Sequence, residues 1–343
     1  MRIEAAKEAV SHLPITPAVL VSLRETARLH TTHYSTMIEG NRLTQEEVEE
    51  VIHRRQLFSG HERDEKEVLG YYAALDYVEN LAVKRAKIAE TDIKRIHALL
   101  MRGGNEKVKP SPYREGQNVI RDNTTNSIVY MPPEAKDVPI LMKELVAWIP
   151  DQEELPAPLK AAIAHYQYAT IHPYYDGNGR TARLLTTLIL HQNGYDLMGL
   201  YSLEEYYARN LPAYYKALSL GPSHNYYLGR AETDITPWVS YFCAGVAESF
   251  EAVKRNAEKE ALKGADDRAS ILRKLDARQR KALELFKESE LITANNIASL
   301  FGVKPRSARV ICQKWVDAQF IEVRNPAKRN RSYALADQWQ KLL

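Results

Sequence analysis

The chain has 343 residues, an ordinary apolar fraction and a net charge of only +3, so it can hold two or three domains and its overall charge defines no partner. Its two cysteines, Cys243 and Cys312, have neither paired nor metal-ligand spacing, which argues against a disulfide framework and suits a reducing cytosol. No apolar h-region follows Met1 and no run reaches transmembrane length, so a cytoplasmic protein without membrane contact is expected.

Residues 1–60 read as an N-terminal helical segment. Thr16-Pro17 predicts a helix start, with Thr16 as cap and Pro17 in the first turn. Leu20, Leu23, Ala27 and Tyr34 keep helical spacing, and Gly40 stops the helix. Its last turns read Ser35-Thr36-Met37-Ile38-Glu39-Gly40. By themselves, Ser35 and Glu39 are an exposed pair ending a solvated helix. Residues 45–55 predict a second, charged helix, and 61–66 a solvated connection.

A core is expected over residues 61–255. Helical periodicity runs over 70–84 and 91–101, the latter with Thr91 as cap. Residues 119–122 and 127–131, joined by Asn123-Thr124-Thr125-Asn126, predict a short β-hairpin. Pro132-Pro133 ends it, and 137–149 resumes a helix. A further helix over 159–170 runs towards Pro173, which favours an end just before it.

The next stretch carries the chemistry: His172-Pro173-Tyr174-Tyr175-Asp176-Gly177-Asn178-Gly179-Arg180, completed by Arg183. Leu184, Leu185, Leu188 and Ile189 then repeat at helical spacing up to Gly194. The motif is therefore a loop feeding a helix N-terminus. Gly177 and Gly179 let the backbone turn tightly and approach a ligand. The free N–H groups of the first turn, with the positive end of the helix dipole, form an anion site. Arg180 and Arg183, about one turn apart, can address that anion. Asp176 is a hard oxygen ligand suited to Mg²⁺ carried in by phosphates. His172 can take a proton near neutral pH. Together these groups fit phosphoryl or nucleotidyl transfer.

This motif resembles the signature of the Fic family, HPFx[DE]GNGRxxR, at every chemical position, with Tyr174 in place of the usual Phe. The resemblance implies a Fic helical bundle and a Mg²⁺-dependent protein adenylyltransferase that uses ATP. His172 would be the general base and Asp176 the metal ligand. Gly177, Asn178, Gly179, Arg180 and Arg183 would bind the nucleotide, Asn178 also bracing the loop. The segment ending at Glu39-Gly40 is similar to the family's inhibitory helix, [ST]xxxE[GN], which implies a salt bridge from Glu39 to Arg183 in the place of the ATP γ-phosphate. A carboxylate offers arginine the same bidentate geometry as one face of a phosphate. The hairpin resembles the family's flap, implying that Ile128, Val129 and Tyr130 pair with a target segment by β-augmentation. Tyr113-Arg114 resembles an element before the active site and reads as structural packing. Of the pairs Tyr206-Tyr207 and Tyr214-Tyr215, the resemblance assigns Tyr214 and Tyr215 to the nucleoside pocket, with Asn210. Tyrosines at helical spacing are by themselves more often core residues. Trp238, Phe242 and Val246 then mark a last core helix.

Residues 251–267 read as a charged helical linker, and 256–343 as linker plus a final domain. Helices are predicted over 278–287, from Thr293 to Phe301-Gly302, and from Pro305 to Ala318, followed by strands at 320–324 and 332–335. Three helices and a hairpin resemble a winged helix-turn-helix. In its third helix Ala308, Ile311, Cys312 and Trp315 face the core, leaving Arg306, Ser307, Arg309, Gln313 and Lys314 outward. From Gly302 to Ser332 eight basic side chains face two acidic ones, a footprint of nucleic-acid binding through Arg306, Arg309, Lys328 and Arg329. Winged helices on enzymes also serve protein contacts.

The expected fold is mainly α: a Fic bundle with a β-hairpin flap plus a C-terminal winged helix. The expected activity is AMP transfer from ATP to a Ser, Thr or Tyr hydroxyl of a target protein, the chain itself included, autoinhibited in cis by Glu39. Removal of AMP, with Glu39 orienting a water, and use of another donor such as UTP are alternatives. A DNA-binding regulator with the Fic core as sensor is a third, which an intact His172 opposes. A homo-oligomer is compatible with the sequence.

Overall fold

The computed structural model describes residues 2–12, 17–54, 58–105, 107–121, 126–151, 154–263, 272, 274–327, 331–340 and 342–343. In chain order its first elements are α1 (Arg2–Ser11), α2 (Pro17–Ile38), α3 (Gln45–Arg54), α4 (Glu62–Lys84), α5 (Glu90–Met101), β1 (Ile120–Arg121) and β2 (Ile128–Tyr130). Then come α6 (Val138–Asp151), α7 (Ala157–Ile171), α8 (Asn178–Gln192), α9 (Leu203–Arg209), α10 (Leu211–Leu218) and α11 (Thr236–Lys263). The fold is mainly α with two small antiparallel sheets, as expected. Two compact units are present, one of Thr26–Ser249 and one of Met1–Glu25 with Phe250–Leu343.

In the unit Thr26–Ser249, α8 packs against α7, α4 and α5. Ala182, Leu184, Leu185, Leu188, Ile189 and Leu190 on α8 are all buried, and so are Arg180, Thr181, Arg183 and Thr186. A helix buried on every side belongs at the centre of a bundle. α4 and α5 cross so closely that a Cβ on Gly70 would lie 2.3 Å from the Leu100 carbonyl oxygen. Only glycine fits there.

The structure corrects the start of α4. Residues 61–66 look like a solvated connection from their charge, yet Glu62, Asp64 and Glu65 stand in the first turn of the helix, where its dipole favours acids. Asp64 and Glu65 are buried, accepting from Arg42 and from the Phe58 N–H respectively. α5 likewise starts at Glu90, with Ala89 rather than Thr91 at the cap; the Asp92 carboxylate accepts from the Ala89 N–H at 2.9 Å. Gly40 ends α2 with φ +92, as its position implies, whereas the expected cap Thr16 lies outside the described residues. The hairpin forms with Ile120 opposite Tyr130 and Arg121 opposite Ile128; residues 122–125, most of its turn, are outside the described residues.

In the other unit, the helices Ala277–Glu288, Ala294–Phe301 and Pro305–Asp317 share one apolar core with a three-stranded antiparallel sheet ordered β3 (Ile292–Thr293), β5 (Ser332–Leu335), β4 (Ile321–Asn325). β3 is absent from the sequence expectation because two residues carry no readable periodicity; it pairs Ile292 with Tyr333. Ala308, Cys312 and Trp315 are buried on the third helix, Ile311 packs against the same core, and Arg306, Ser307, Arg309, Gln313 and Lys314 are exposed. Thr293 caps the second helix through the Asn296 N–H. The charged stretch expected as a linker continues α11 to Lys263, and 264–267 lies outside the described residues.

Candidate active site

α7 ends at His172, which takes a left-handed backbone, φ 51 and ψ 60, and donates its N–H to the Tyr168 carbonyl. That reversal throws the chain into the loop 173–177, and α8 restarts it from Gly177 at φ +76. Asn178 and His97 are among the side chains that hold the loop. Asn178 Oδ1 accepts from the Tyr174 N–H at 3.0 Å, and its Nδ2 donates to the Tyr174 carbonyl at 2.8 Å, so Asn178 clasps the loop back on itself. His97 on α5 donates from Nε2 to the Asp176 carbonyl at 2.9 Å and stacks on Tyr174 with ring centroids 3.5 Å apart. Tyr174 is 3% exposed. Its hydroxyl, the one departure from the family pattern, has no hydrogen-bond partner among the described residues. His97 escapes the sequence reading because an apolar-face histidine on α5 looks like any core residue.

His172 Nδ1 donates to the Ala169 carbonyl at 3.4 Å, which leaves Nε2 as the unprotonated nitrogen. Burial pulls the imidazole down to about 4; the Ala169 hydrogen bond and Glu39 oppose the shift, and Arg114 adds to it. His172 is therefore neutral, a free base, throughout the neutral range.

The two arginines of the motif diverge. Arg180 is 1% exposed and reaches Asp176 Oδ1 at 3.0 Å, with Glu67 at 3.9 Å on its other side. Arg183 is also 1% exposed and turns to α2, donating from Nε to Ser35 Oγ at 2.7 Å and from Nη2 to the Ser35 carbonyl at 2.8 Å and Glu39 Oε1 at 2.9 Å. Burial lowers the Arg183 pKa, but Glu39, Tyr214 and Tyr71 together more than offset it, so the guanidinium stays charged. Glu39 also lies over the first turn of α8: a Cβ on Gly179 would come within 2.3 Å of Glu39 Oε1. A glycine is needed where the carboxylate sits on the helix N-terminus.

Asp176 has a half-exposed carboxylate that accepts from the Gly177 N–H at 2.6 Å as well as from Arg180. Among the described residues no cluster of three or more metal-ligating side chains exists. The donor set fits a Mg²⁺ only as one arriving with phosphate oxygens and held by a single carboxylate.

Other expected site residues fall differently. Tyr214 does not line an open pocket: it is 2% exposed, and its hydroxyl donates to His165 Nε2 at 3.1 Å. His165 Nδ1 in turn donates to Thr186, so Tyr214 belongs to the core behind Arg183. Tyr215 is exposed on one side and donates its hydroxyl to the Ile38 carbonyl at 3.1 Å, beside Glu39. Asn210 caps α10 by accepting from the Ala213 N–H; its side chain is committed to the helix. In the hairpin Ile128 is exposed and Val129 half-buried, but the Tyr130 side chain is buried with its hydroxyl on the Thr170 carbonyl at 2.7 Å. Just beyond it, Met131 exchanges backbone hydrogen bonds with His224 and Tyr226. Arg306 and Arg309 are exposed; Lys328 and Arg329 lie outside the described residues.

A helical bundle that presents a histidine-ended helix, a clasped loop and an arginine-bearing helix N-terminus offers an anion site at the start of α8. Residues 87–190 match the Fic/DOC family model, so this stretch is similar to that family. The chain is 31% identical over 198 residues to "Protein adenylyltransferase Fic" of Aedes aegypti, covering 57% of this chain and 38% of that protein. To the protein of the same name from Drosophila erecta it is 29% identical over 196 residues, covering 56% and 38%. The chain thus spans about two fifths of the length of these curated relatives. Its fold is similar to that of a Fic domain-containing signaling protein from Bacteroides thetaiotaomicron, with TM-score 0.63, 22% identity and coverage of 76% and 97%. A Fic family protein from Desulfovibrio desulfuricans gives TM-score 0.56 at 24% identity, covering 94% and 89%. Among the described residues, no helix is long and apolar enough to cross a membrane.

Proposed function

We propose that this chain is a protein adenylyltransferase that moves AMP from ATP to a Ser, Thr or Tyr hydroxyl of a target protein, and that Glu39 holds it off in cis. The observation that carries the reading is the carboxylate of Glu39 on Arg183 over Gly179, at the helix N-terminus where a polyphosphate would lie. In the transfer, His172 Nε2 takes the proton of the target hydroxyl. The freed oxygen attacks the α-phosphorus, the bond to the β-phosphate oxygen breaks, and pyrophosphate leaves. The amides at the start of α8 face the charge that builds on the phosphate oxygens. Arg183, released from Glu39, takes the γ-phosphate as a bidentate partner. Arg180, now on Asp176, serves the β-phosphate. A Mg²⁺ held by Asp176 would supply charge neutralisation of the polyphosphate.

For the target, the supporting feature is the hairpin: Ile128 and Val129 lie outermost, and a groove of about 510 Å³ bounded by Met131, Pro132, Lys136, Asn225 and Tyr227 adjoins its end. An extended target segment adding to β2 would enter that groove. For the C-terminal part, from residue 256, we read a linker and a winged helix-turn-helix whose third helix, Pro305–Asp317, meets nucleic-acid phosphates through Arg306 and Arg309. Its exposed basic face supports this. The core of 61–255, the segment 1–60 and a cytoplasmic location complete the proposal.

The test incubates the protein with Mg²⁺ and ATP labelled at the α- or the γ-phosphate, for the wild type and Glu39→Gly. Label reaching protein from the α-position alone supports nucleotidyl transfer. Label from the γ-position would make the protein a kinase, and loss of label from AMP-modified protein would favour the reverse reaction.

A further inference from the structure

Arg114 is 3% exposed, yet its side-chain hydrogen bonds end on backbone carbonyls. Nε donates to His172 at 3.0 Å, Nη1 to Gly116 at 3.0 Å, and Nη2 to Pro133. Its own N–H donates to the Pro173 carbonyl at 3.0 Å. The three side-chain acceptors come from three places: the residue before the motif loop, the segment leading into β1, and the segment leaving β2. Further ties run alongside. Tyr175 Oη accepts from the Gly116 N–H at 2.8 Å, Asn118 Nδ2 donates to the Tyr174 carbonyl at 3.1 Å, and Gln117 Nε2 donates to the Pro132 carbonyl at 3.0 Å.

A buried charge without a carboxylate partner is costly, so such a group persists only where its hydrogen bonds do work that a neutral residue cannot. Here the planar fork of five N–H donors is what lets one side chain hold three diverging carbonyls. Resting on the adenylyltransferase reading, we infer that Arg114 is a positioning residue, which locks the base of the hairpin to the backbone of His172 so that the target hydroxyl and its base keep one spacing. Sequence alone gives Tyr113-Arg114 as packing, because none of the acceptors is a side chain.

The position also has an electrostatic consequence. The groups facing His172 are Glu39 from α2, Asp176 from its own loop, Arg114 from the chain before β1, and the Ala169 carbonyl from α7. Of the charged groups, Arg114 alone is a cation and favours the neutral imidazole.

Arg114→Lys and Arg114→Gln in the full chain separate the two roles. Lysine keeps the charge but not the fork; glutamine loses both. Amide hydrogen exchange over 116–133 and 172–175 should accelerate together in both variants, with Arg114→Lys deciding if Arg114→Gln does not fold. The His172 imidazole titration, followed by NMR, should move to higher pH in Arg114→Gln and stay in place in Arg114→Lys. In the Glu39→Gly background, kcat for AMP transfer should fall about 10–100-fold in both, with KM for ATP little changed. Unchanged exchange in both segments, or acceleration in only one of them, would overturn the inference. Absence of AMP transfer by the Glu39→Gly parent would instead sink the adenylyltransferase reading, while exchange and titration would still decide the role of Arg114 in holding the hairpin to His172.

Discussion

In the unit Thr26–Ser249 the largest fully buried side chains include Arg180 and Arg183, and His165, Thr181, Glu204 and Arg114 are buried with them. In Phe250–Leu343 the core is Leu272, Leu283, Phe286, Ile297, Trp315, Phe320 and their neighbours. Among the described residues its buried polar side chains come down to Gln279, which only closes a capping box with Asp276. Burying charge costs stability unless every group is paired. The first unit therefore buries many polar groups, and Arg180, Thr181 and Arg114 among them bond to residues 172–177. The second is built as a plain apolar core, with its charge outside.

The largest expected effect breaks the chemistry of the first unit. His172→Ala in the Glu39→Gly background should lower AMP transfer on the order of 10²–10⁴-fold while ATP binding, measured by calorimetry, stays close to that of the parent. Near-parental transfer would remove His172 as the base.

Acid should separate the two units next. Burial pulls His165 down to about 3 and His97 to about 4, whereas the chain from Phe250 onward contains no histidine. A histidine whose folded pKa is depressed binds its proton more readily when unfolded. Stability is thus full above about pH 6.5 and falls as pH drops towards 4 and 3. At about 1.4 kcal/mol for each pH unit separating the folded and unfolded pKa values, the two histidines amount to several kcal/mol. Hydrogen exchange from pH 7 to pH 4 should show Thr26–Ser249 losing protection while the Phe250–Leu343 core keeps it. Equal loss in both would contradict the contrast.

Much of the site is legible in the sequence, and the exceptions share a cause. The loop 172–183 follows from side-chain types at short spacing, whereas the pairing of Glu39 with Arg183 follows only from the resemblance of their two segments to family patterns. His97 and Arg114 do not, because they grip backbone carbonyls from segments far along the chain, and no residue type marks a carbonyl. The resemblance assigns Tyr214 and Tyr130 to binding, yet their hydroxyls are spent on His165 and Thr170. The start of α4 is hidden because acids that cap a helix read as solvated charge. The apolar unit is the easier one: its three helices follow from periodicity, and only the two-residue β3 escapes.

Smaller effects sharpen the second unit. Replacing Arg306 and Arg309 with Ala should flatten the slope of log DNA affinity against log salt by about one for each phosphate no longer neutralised, measured on the full chain. No DNA binding at low salt by the parent would make this face a protein-contact surface. Thr293→Ala removes the cap of the helix Ala294–Phe301 and should cost about 1 kcal/mol in denaturant unfolding of that unit. A cost near zero would mean that the Thr293 cap contributes nothing to the helix.

The most direct test of the central claim measures AMP transfer and ATP affinity side by side on the wild type and Glu39→Gly. On the proposed reading, ATP binds with Glu39 on Arg183 but its γ-phosphate meets a carboxylate, and misplacement alone costs on the order of 10²-fold in rate. Glu39→Gly should raise transfer by about that factor with a much smaller change in affinity, and adding Arg183→Ala should abolish the gain. Unchanged transfer by a folded Glu39→Gly protein would contradict the account and leave Glu39 an ordinary residue at the end of α2.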